Sequence, residues 1–166
     1  MLTQEHLKEL LSYDPETGLF IWIKSTNRSI KIGSVAGGKK PDSYICIRID
    51  KKNYLSHRLA WLYVYGKLPE KFIDHINEIK NDNRICNLRL ANNQQNKQNM
   101  SKPNKNNKIG LKGVYWHETG KKWVSIIVIN GKNKHLGLFI AQQEAHEAYL
   151  KAKREFHPFW VEKKTA

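Results

Sequence analysis

The sequence predicts an α+β protein in two parts, a first domain built around a strand–loop–strand–helix hairpin and a small three-stranded antiparallel sheet packed on one helix. Two apolar runs flank a polar loop within residues 72–99, which predicts the hairpin. Residues 101–112 then hold four lysines, three asparagines and no acid, as a basic linker would. Strand-like runs joined by Asn130-Gly131 follow. We therefore expect a first domain at 1–100, a linker at 101–111 and a second domain at 112–160.

Local patterns give the elements of the first domain. Ile45, Ile47 and Ile49 alternate with other residues and should share one face of a strand. The predicted elements are a helix capped by Thr3 and running to Leu11, strands at Leu19–Lys24 and Tyr44–Asp50, and a helix capped by Ser56 and ended by Gly66.

The charge of the chain favours a polyanionic partner. The net charge is +14, from 29 basic and 15 acidic residues, and both halves share the excess. Each Lys or Arg that contacts a phosphate releases counterions, so nucleic acid is preferred to the simpler alternative of a well-solvated basic protein. Cys46 and Cys86 form no CxxC pair, which argues against a zinc ribbon. The sequence indicates neither a membrane segment nor a small-molecule cofactor, and predicts a cytoplasmic protein.

The hairpin carries the residue types that phosphodiester hydrolysis needs. Asp74 offers a hard oxygen ligand for Mg²⁺ or Mn²⁺, and the adjacent His75 could take a proton from water. Both can serve one site only if their strand ends or kinks there, because neighbouring strand side chains point to opposite faces. Asn87 could bind backbone across the loop and hold His75 in orientation, and Asn96 would project from the helix that follows. The alternative is a polar hairpin whose asparagines cap turns.

Residues 13–99 resemble the HNH endonucleases, and most closely their phage and intron-encoded homing branch. The resemblance rests on DHIN, DNR, NLR and a later Asn, with YDPETGLFIW, YICIRID and SHRLAW before them. It implies a ββα-metal fold and cleavage of double-stranded DNA with one divalent ion, Mg²⁺ or Mn²⁺, per site. By motif match, His75 is the general base, Asp74 and Asn96 are metal ligands, and Asn87 is the central structural asparagine. Many members carry a histidine at the position of Asn96.

The second domain resembles the plant ethylene-response-factor, or Apetala-two, DNA-binding domain. Its predicted strands are Gly113–His117, Lys122–Asn130 and Lys134–Phe139, and alanines at helical spacing follow from Gln142. The motifs KGVYW, KWVSIIV, KHLGLF and QQEAHEAYLKA carry the resemblance. It implies a sheet lying in the major groove, with a DNA-facing set that consists of Tyr115, His117, Lys122, Trp123, Ser125 and Lys134. This sheet lacks the family's arginines, and Trp123 fits the core equally well.

Together these features predict a two-domain homing endonuclease acting in a bacterial host, if phage-encoded. A non-catalytic DNA-binding regulator is the alternative function, and an RNA-binding basic protein is a third. His57 and Arg58 could contact DNA or simply fix the start of their helix. The further residues predicted to bind DNA are His57, Arg58, Arg84, Arg89, Lys97, Lys102, Lys105, Lys108 and Lys112.

Overall fold

The computed structural model describes residues 2–25, 28–104 and 106–162. By its internal contacts the chain divides into two compact units, unit 1 at Met1–Asn92 and unit 2 at Asn93–Ala166. This boundary precedes the sequence-based one at residue 100, so the helix that carries Asn96 falls in unit 2. One contact that joins the segment near residue 100 to the rest of unit 2 is a hydrogen bond at 3.1 Å, which the Lys153 ammonium donates to the Met100 carbonyl.

Unit 1 contains short strands and two helices arranged as three small antiparallel sheets, β1–β2, β3–β4–β5 and β6–β7. In chain order its elements are α1 (Gln4–Leu10), β1 (Leu11–Tyr13), β2 (Phe20–Trp22), β3 (Gly38–Lys39), β4 (Ile45–Ile49), β5 (Lys52–Leu55), α2 (Ser56–Tyr65), β6 (Phe72–His75), a 3₁₀ turn (Ile85–Asn87) and β7 (Leu88–Ala91).

The core of unit 1 joins α1 and α2 to the faces of the short strands. Leu7 of α1 and Leu59 of α2 are fully buried, together with Phe20 of β2. Ile47 and Ile49 of β4 are also buried, as their alternation predicts. The side-chain oxygen of Thr3 accepts a bond from the His6 amide at 3.2 Å, which confirms the predicted N-cap of α1.

The start of α2 differs from the prediction. Ser56 is the first helical residue and is buried, whereas Leu55 occupies the N-cap position without a side-chain bond. Strand β5 ends at Leu55 and α2 begins at the next residue, so the extended N-cap position falls on Leu55. Ser56 already has helical geometry and therefore cannot act as the N-cap. The helix ends at Gly66, whose φ of +76° gives the left-handed stop that the sequence predicts.

Unit 2 is a helix followed by a three-stranded antiparallel sheet of order β10–β9–β8 and a long carboxy-terminal helix against it. Asn130-Gly131 makes the β9–β10 hairpin turn, with φ of +50° and +79° at its two residues, as this dipeptide predicts. In chain order the elements of unit 2 are α3 (Asn93–Asn99), β8 (Val114–His117), β9 (Lys122–Ile129), β10 (Lys132–Phe139) and α4 (Gln142–Phe156).

Candidate active site and nucleic-acid surface

The hairpin of β6 and β7 holds the two central candidates, Asp74 and His75. Both side chains are buried, at 7% and 5% exposure. The strand ends at His75, whose carbonyl accepts the Glu78 amide at 2.9 Å. Glu78 has a φ of +60°, so the chain turns sharply here. Strand β6 therefore ends at His75, which is the condition for Asp74 and His75 to serve one site.

Asp74 forms an ion pair with a residue of the strand opposite. It pairs in register with Arg89 of β7, and the Arg89 Nε donates to its Oδ2 at 3.0 Å. The ion pair keeps a hard, anionic oxygen inside the fold, where a lone carboxylate would be costly. Mg²⁺ and Mn²⁺ favour such oxygen donors and keep several waters, so few protein ligands suffice. Asp74 thus fits the metal-ligand role.

His75 lies in a buried group of rings. Its ring centroid is 5.1 Å from that of His57 and 5.9 Å from that of Tyr44. Burial lowers the pKa of His75 below the usual histidine value, while a hydrogen bond with Asn83 opposes the shift. An imidazole that stays neutral near pH 7 can accept a proton, as a general base must.

Asn87 braces the loop between the two strands. Its Oδ1 accepts the Asn77 amide at 3.0 Å, and its Nδ2 donates to the Asp82 carbonyl at 2.8 Å. Its own carbonyl accepts the Ile76 amide at 2.9 Å. These bonds cross the loop from one side to the other, which confirms that Asn87 can bind backbone there. Its catalytic contribution stays a prediction.

Sequence reasoning missed Asn83, which contacts the candidate base directly. The Asn83 side chain is 2% exposed, and its Oδ1 lies 3.3 Å from the His75 Nε2. Asn83 stands in the run DNR, which supported only the family resemblance in the sequence. Its position between Asp82 and Arg84 in a polar loop looks like that of an ordinary turn residue. The only signal in the sequence that could have identified Asn83 is its place in the DNR motif, because an asparagine in a polar loop gives no chemical indication of a contact with His75.

His57, one of the residues predicted to contact DNA, is buried in this structure, which favours the alternative that it fixes the start of its helix. Its side chain is only 6% exposed and packs on the ring of Tyr44, with centroids 5.2 Å apart. The first turn of α2 faces the core, so His57 points inward. Its neighbour Arg58 is half-buried and donates to the Pro69 carbonyl at 3.2 Å, which ties α2 to the segment after it.

The two arginines predicted to bind DNA from the hairpin are engaged with carboxylates. Arg89 pairs with the buried Asp74, so its guanidinium is directed into the candidate site. Arg84 is exposed and forms two bonds to Asp82, at 2.8 Å from Nε and 2.6 Å from Nη2. This pairing lowers the pKa of the Asp82 carboxyl. A phosphate contact by either arginine would compete with these bonds.

Unit 2 supplies the remaining candidate residues of the first motif. Asn96 and Lys97 are exposed on α3, whereas Asn99 at the end of the same helix is 1% exposed. An exposed carboxamide leaves Asn96 accessible to a ligand, and its metal-binding role stays a prediction. Lys102 and Lys108 are exposed, and Lys112 bonds the Met100 carbonyl. Lys105, also predicted to bind DNA, lies outside the described residues.

The sheet of unit 2 divides the predicted DNA-facing set between its two faces. Ser125 is fully buried on the α4 side, and the Lys134 ammonium lies 4.1 Å from the Phe156 ring centroid there. Trp123 shares that side and stacks edge-on with Trp116 at 5.1 Å. Strand alternation explains the division, because residues two apart along β9 share a face. Trp123, Ser125 and Lys134 therefore lie on the α4 side of the sheet, opposite the other three members of the predicted set, and their contact with DNA stays a prediction.

Three members of the set remain on the opposite face, which we call the outer face. His117 pairs in register with Lys122, and Tyr115 lies on the same side of β8. All three are exposed, and Leu138 of β10 lies exposed on the same face. The outer face therefore offers aromatic, basic and apolar groups, but no arginine.

Within the described ranges, no cluster of three or more His, Cys, Asp or Glu side chains has a metal-binding arrangement. Among the same residues, no helix has the length and apolarity to cross a bilayer.

Comparison with known proteins identifies the central region. Residues 54–98 match the family model described as HNH endonuclease, and Asp74, His75, Asn87 and Asn96 all fall within the match. Over 77 residues the chain is 35% identical to Protein 3.8 of Escherichia phage T7, covering 46% of this chain and 63% of that protein. The chain thus covers less than two thirds of the length of that relative. The resemblance of the central region to HNH endonucleases is confirmed.

One solved structure also aligns with the chain. It is described as "DNA binding and cleavage by the HNH homing endonuclease I-HmuI", and the alignment has a TM-score of 0.42 and 18% identity. It covers 75% of this chain and 70% of that one.

Proposed function

We propose that the protein is an endonuclease that hydrolyses phosphodiester bonds of duplex DNA with one divalent cation. The observation that carries the proposal is the adjacent, buried pair Asp74 and His75 at the end of β6. The pair lies in the segment that matches the HNH endonuclease family. A phage-type homing endonuclease is the form that we propose, because the motifs of residues 13–99 resemble that branch and a relative of the chain is encoded by a phage.

The chemistry divides between an acid–base group and a ligand. His75 takes a proton from the attacking water at an imidazole nitrogen, while a P–O bond forms to that water and the P–O3′ bond breaks. Asp74 and, by motif match, Asn96 would hold Mg²⁺ or Mn²⁺, which supplies positive charge at the phosphate and the departing 3′ oxygen. Arg89 orients the Asp74 carboxylate through their ion pair.

Unit 2 is proposed to hold the duplex, as the resemblance of its sheet to the ethylene-response-factor domain implies. Residues 100–166 carry 13 basic and 5 acidic side chains, an excess suited to a phosphate backbone. Tyr115, His117 and Lys122 of the outer face are the exposed members of the predicted set. Exposed Lys102 and Lys108 would add phosphate contacts. Without arginine on this face, guanine recognition would be weak.

Nicking of supercoiled plasmid tests the proposal. Wild-type protein should nick in Mg²⁺ or Mn²⁺ and stop in excess chelator, and His75→Ala should lose activity. His6→Ala is a matched control, because His6 is a surface histidine of α1 paired with Asp50 at 2.8 Å. Equal nicking by wild type and His75→Ala would refute the enzyme and leave a DNA-binding regulator.

A further inference from the structure

The amide of Asn83 lies against the candidate base in one defined orientation. Its Oδ1 is 3.3 Å from the His75 Nε2, and its Nδ2 donates to the Asn81 carbonyl at 3.4 Å. The second bond fixes which end of the amide faces the histidine, because a carbonyl accepts only from the NH₂ end. The oxygen of Asn83 is thus directed at His75.

This contact sets the tautomer of His75. An amide oxygen cannot donate, so the His75 Nε2 must carry the hydrogen that it shares with Asn83. In the neutral ring the lone pair then resides on Nδ1. Nδ1 is consequently the nitrogen that accepts a proton from water.

The main chain of Asn83 is in turn fixed by the amino-terminal hairpin of β1 and β2. The Tyr13 hydroxyl donates to the Asn83 carbonyl at 2.7 Å, in a buried bond that spans 70 positions of sequence. Gly18, in the turn after β1, packs directly on the Asn83–Arg84 peptide, where a Cβ atom would collide with backbone. Its φ of +73° also favours glycine.

We propose that Asn83 is a positioning residue for His75, which holds the Nε2-protonated tautomer, and that Tyr13 and Gly18 buttress it. The proposal rests on the proposed function for its catalytic consequence, but the tautomer itself does not. Under this proposal Asn83 orients the base, whereas Asn87 braces the loop through its bonds to the backbone.

Nuclear magnetic resonance of the full-length protein tests the tautomer without any activity measurement. Long-range ¹H–¹⁵N spectra at pH 7.5 identify the ring nitrogens, with His75→Gln used for assignment. We expect the His75 Nε2 to be protonated in wild type, with a ring N–H proton slow enough in exchange to be observed. Asn83→Leu should lose that N–H signal, whereas Asn83→Asp, which keeps an acceptor, should retain it.

Two results would overturn the proposal: a His75 proton on Nδ1 in wild type, or an unchanged Nε2–H signal in folded Asn83→Leu. If Asn83→Leu does not fold, Asn83→Asp and Tyr13→Phe decide. Asn83→Asp must keep the N–H signal, and Tyr13→Phe, which frees the Asn83 backbone, must speed its exchange. Failure of either contradicts the proposal.

Nicking kinetics test the catalytic consequence. Mutation of the partners that orient metal-ligating side chains typically costs ~10–100-fold in metal affinity or activity, and we take the same range for the partner that orients the base. We expect Asn83→Leu to lower kcat by about that factor with an unchanged KM, and Tyr13→Phe to lower it less. Asn81→Leu is the matched control, since Asn81 is exposed and contributes only its backbone carbonyl to Asn83. A wild type with the predicted tautomer but no nicking would refute the proposed function alone, whereas normal kcat in Asn83→Leu would refute the positioning role.

Discussion

Acidification should destabilise unit 1 through one buried side chain, His57. The ring packs between those of Tyr44 and His75, at 5.2 and 5.1 Å between centroids. Its Nδ1 is buried and makes no hydrogen bond among the described residues. Burial chiefly, and then the proximity of His75 and Arg58, lowers the pKa of His57 to about 3. The fold therefore accommodates the neutral ring and resists the charged one.

The direction of the pH effect follows from this depressed pKa. In the unfolded chain His57 titrates near ~6.5, so below that pH the unfolded state binds a proton that the folded state refuses. The stabilisation is fully present above the unfolded pKa and is lost progressively as the pH falls from 6.5 towards 3. At pH 5 the loss is about 1.5 pKa units at 1.36 kcal/mol each, or about 2 kcal/mol.

Amide hydrogen exchange can measure this loss in unit 1 alone. Exchange of peptides that cover β4 and α2, at pH 7.5 and 5.0 and corrected for intrinsic rates, gives the opening free energy of that region. His57→Phe keeps an aromatic ring but removes the titration. We expect the wild type to lose about 2 kcal/mol more than His57→Phe between the two pH values.

Equal losses in the two proteins would refute the reasoning. So would a His57 ring resonance that titrates near the unperturbed pKa in the folded protein. The other histidines of unit 1 are present in both proteins, so the difference between the two losses reports the titration of His57 together with its coupling to the adjacent His75.

Four further changes test other parts of the structure. Asp74→Asn should abolish Mg²⁺-dependent nicking, and calorimetry should show weaker Mn²⁺ binding, because the ligand loses its charge. Asn87→Leu should lower the free energy of urea unfolding by about 2 kcal/mol, since the Asn77 amide and the Asp82 carbonyl lose their buried partner. Gly113→Ala should destabilise unit 2 far more than Gly131→Ala in thermal unfolding: both have positive φ, but only at Gly113 would the added Cβ meet the Tyr149 ring. Lys122→Gln should reduce the salt dependence of DNA binding by about 0.9 in log–log slope, whereas Lys134→Gln, whose ammonium lies on Phe156, should leave it unchanged. Wild-type nicking by Asp74→Asn, or an unchanged free energy of unfolding in Asn87→Leu, would contradict the first two predictions. Equal behaviour of the two glycine variants, or of the two lysine variants, would contradict the others.

Local patterns predicted the elements of both units well where the residues involved are neighbours in sequence. The alternation at Ile47 and Ile49 identified the buried face of β4, and Asn130-Gly131 identified the hairpin of unit 2. The end of β6 at His75 followed from the polar loop after it. In each case the deciding interaction spans only a few residues, so the sequence contains its cause.

Assignments of faces succeeded less often because they depend on strand register. Tyr115 and Ser125 were placed on one surface by family position, yet the register of β8 and β9 puts them on opposite faces. Ser56 and His57 similarly look like an exposed helix start, but β5 leads directly into α2 and turns both inward. A one-residue difference in register or helix start reverses such an assignment.

The polar loop between β6 and β7 explains why its asparagines carried two competing interpretations. Asn87 does bind turns of the backbone, as the simpler interpretation holds, while Asn83 is turned towards the ring of His75. The two asparagines differ in one contact: the Tyr13 hydroxyl, 70 positions away in sequence, donates to the Asn83 carbonyl and fixes the main chain there. No periodicity within the loop can predict a contact made by another part of the chain. The role of each asparagine is therefore decided by which neighbour the fold brings to it, and the amino-terminal hairpin belongs to the candidate site as much as the motif does.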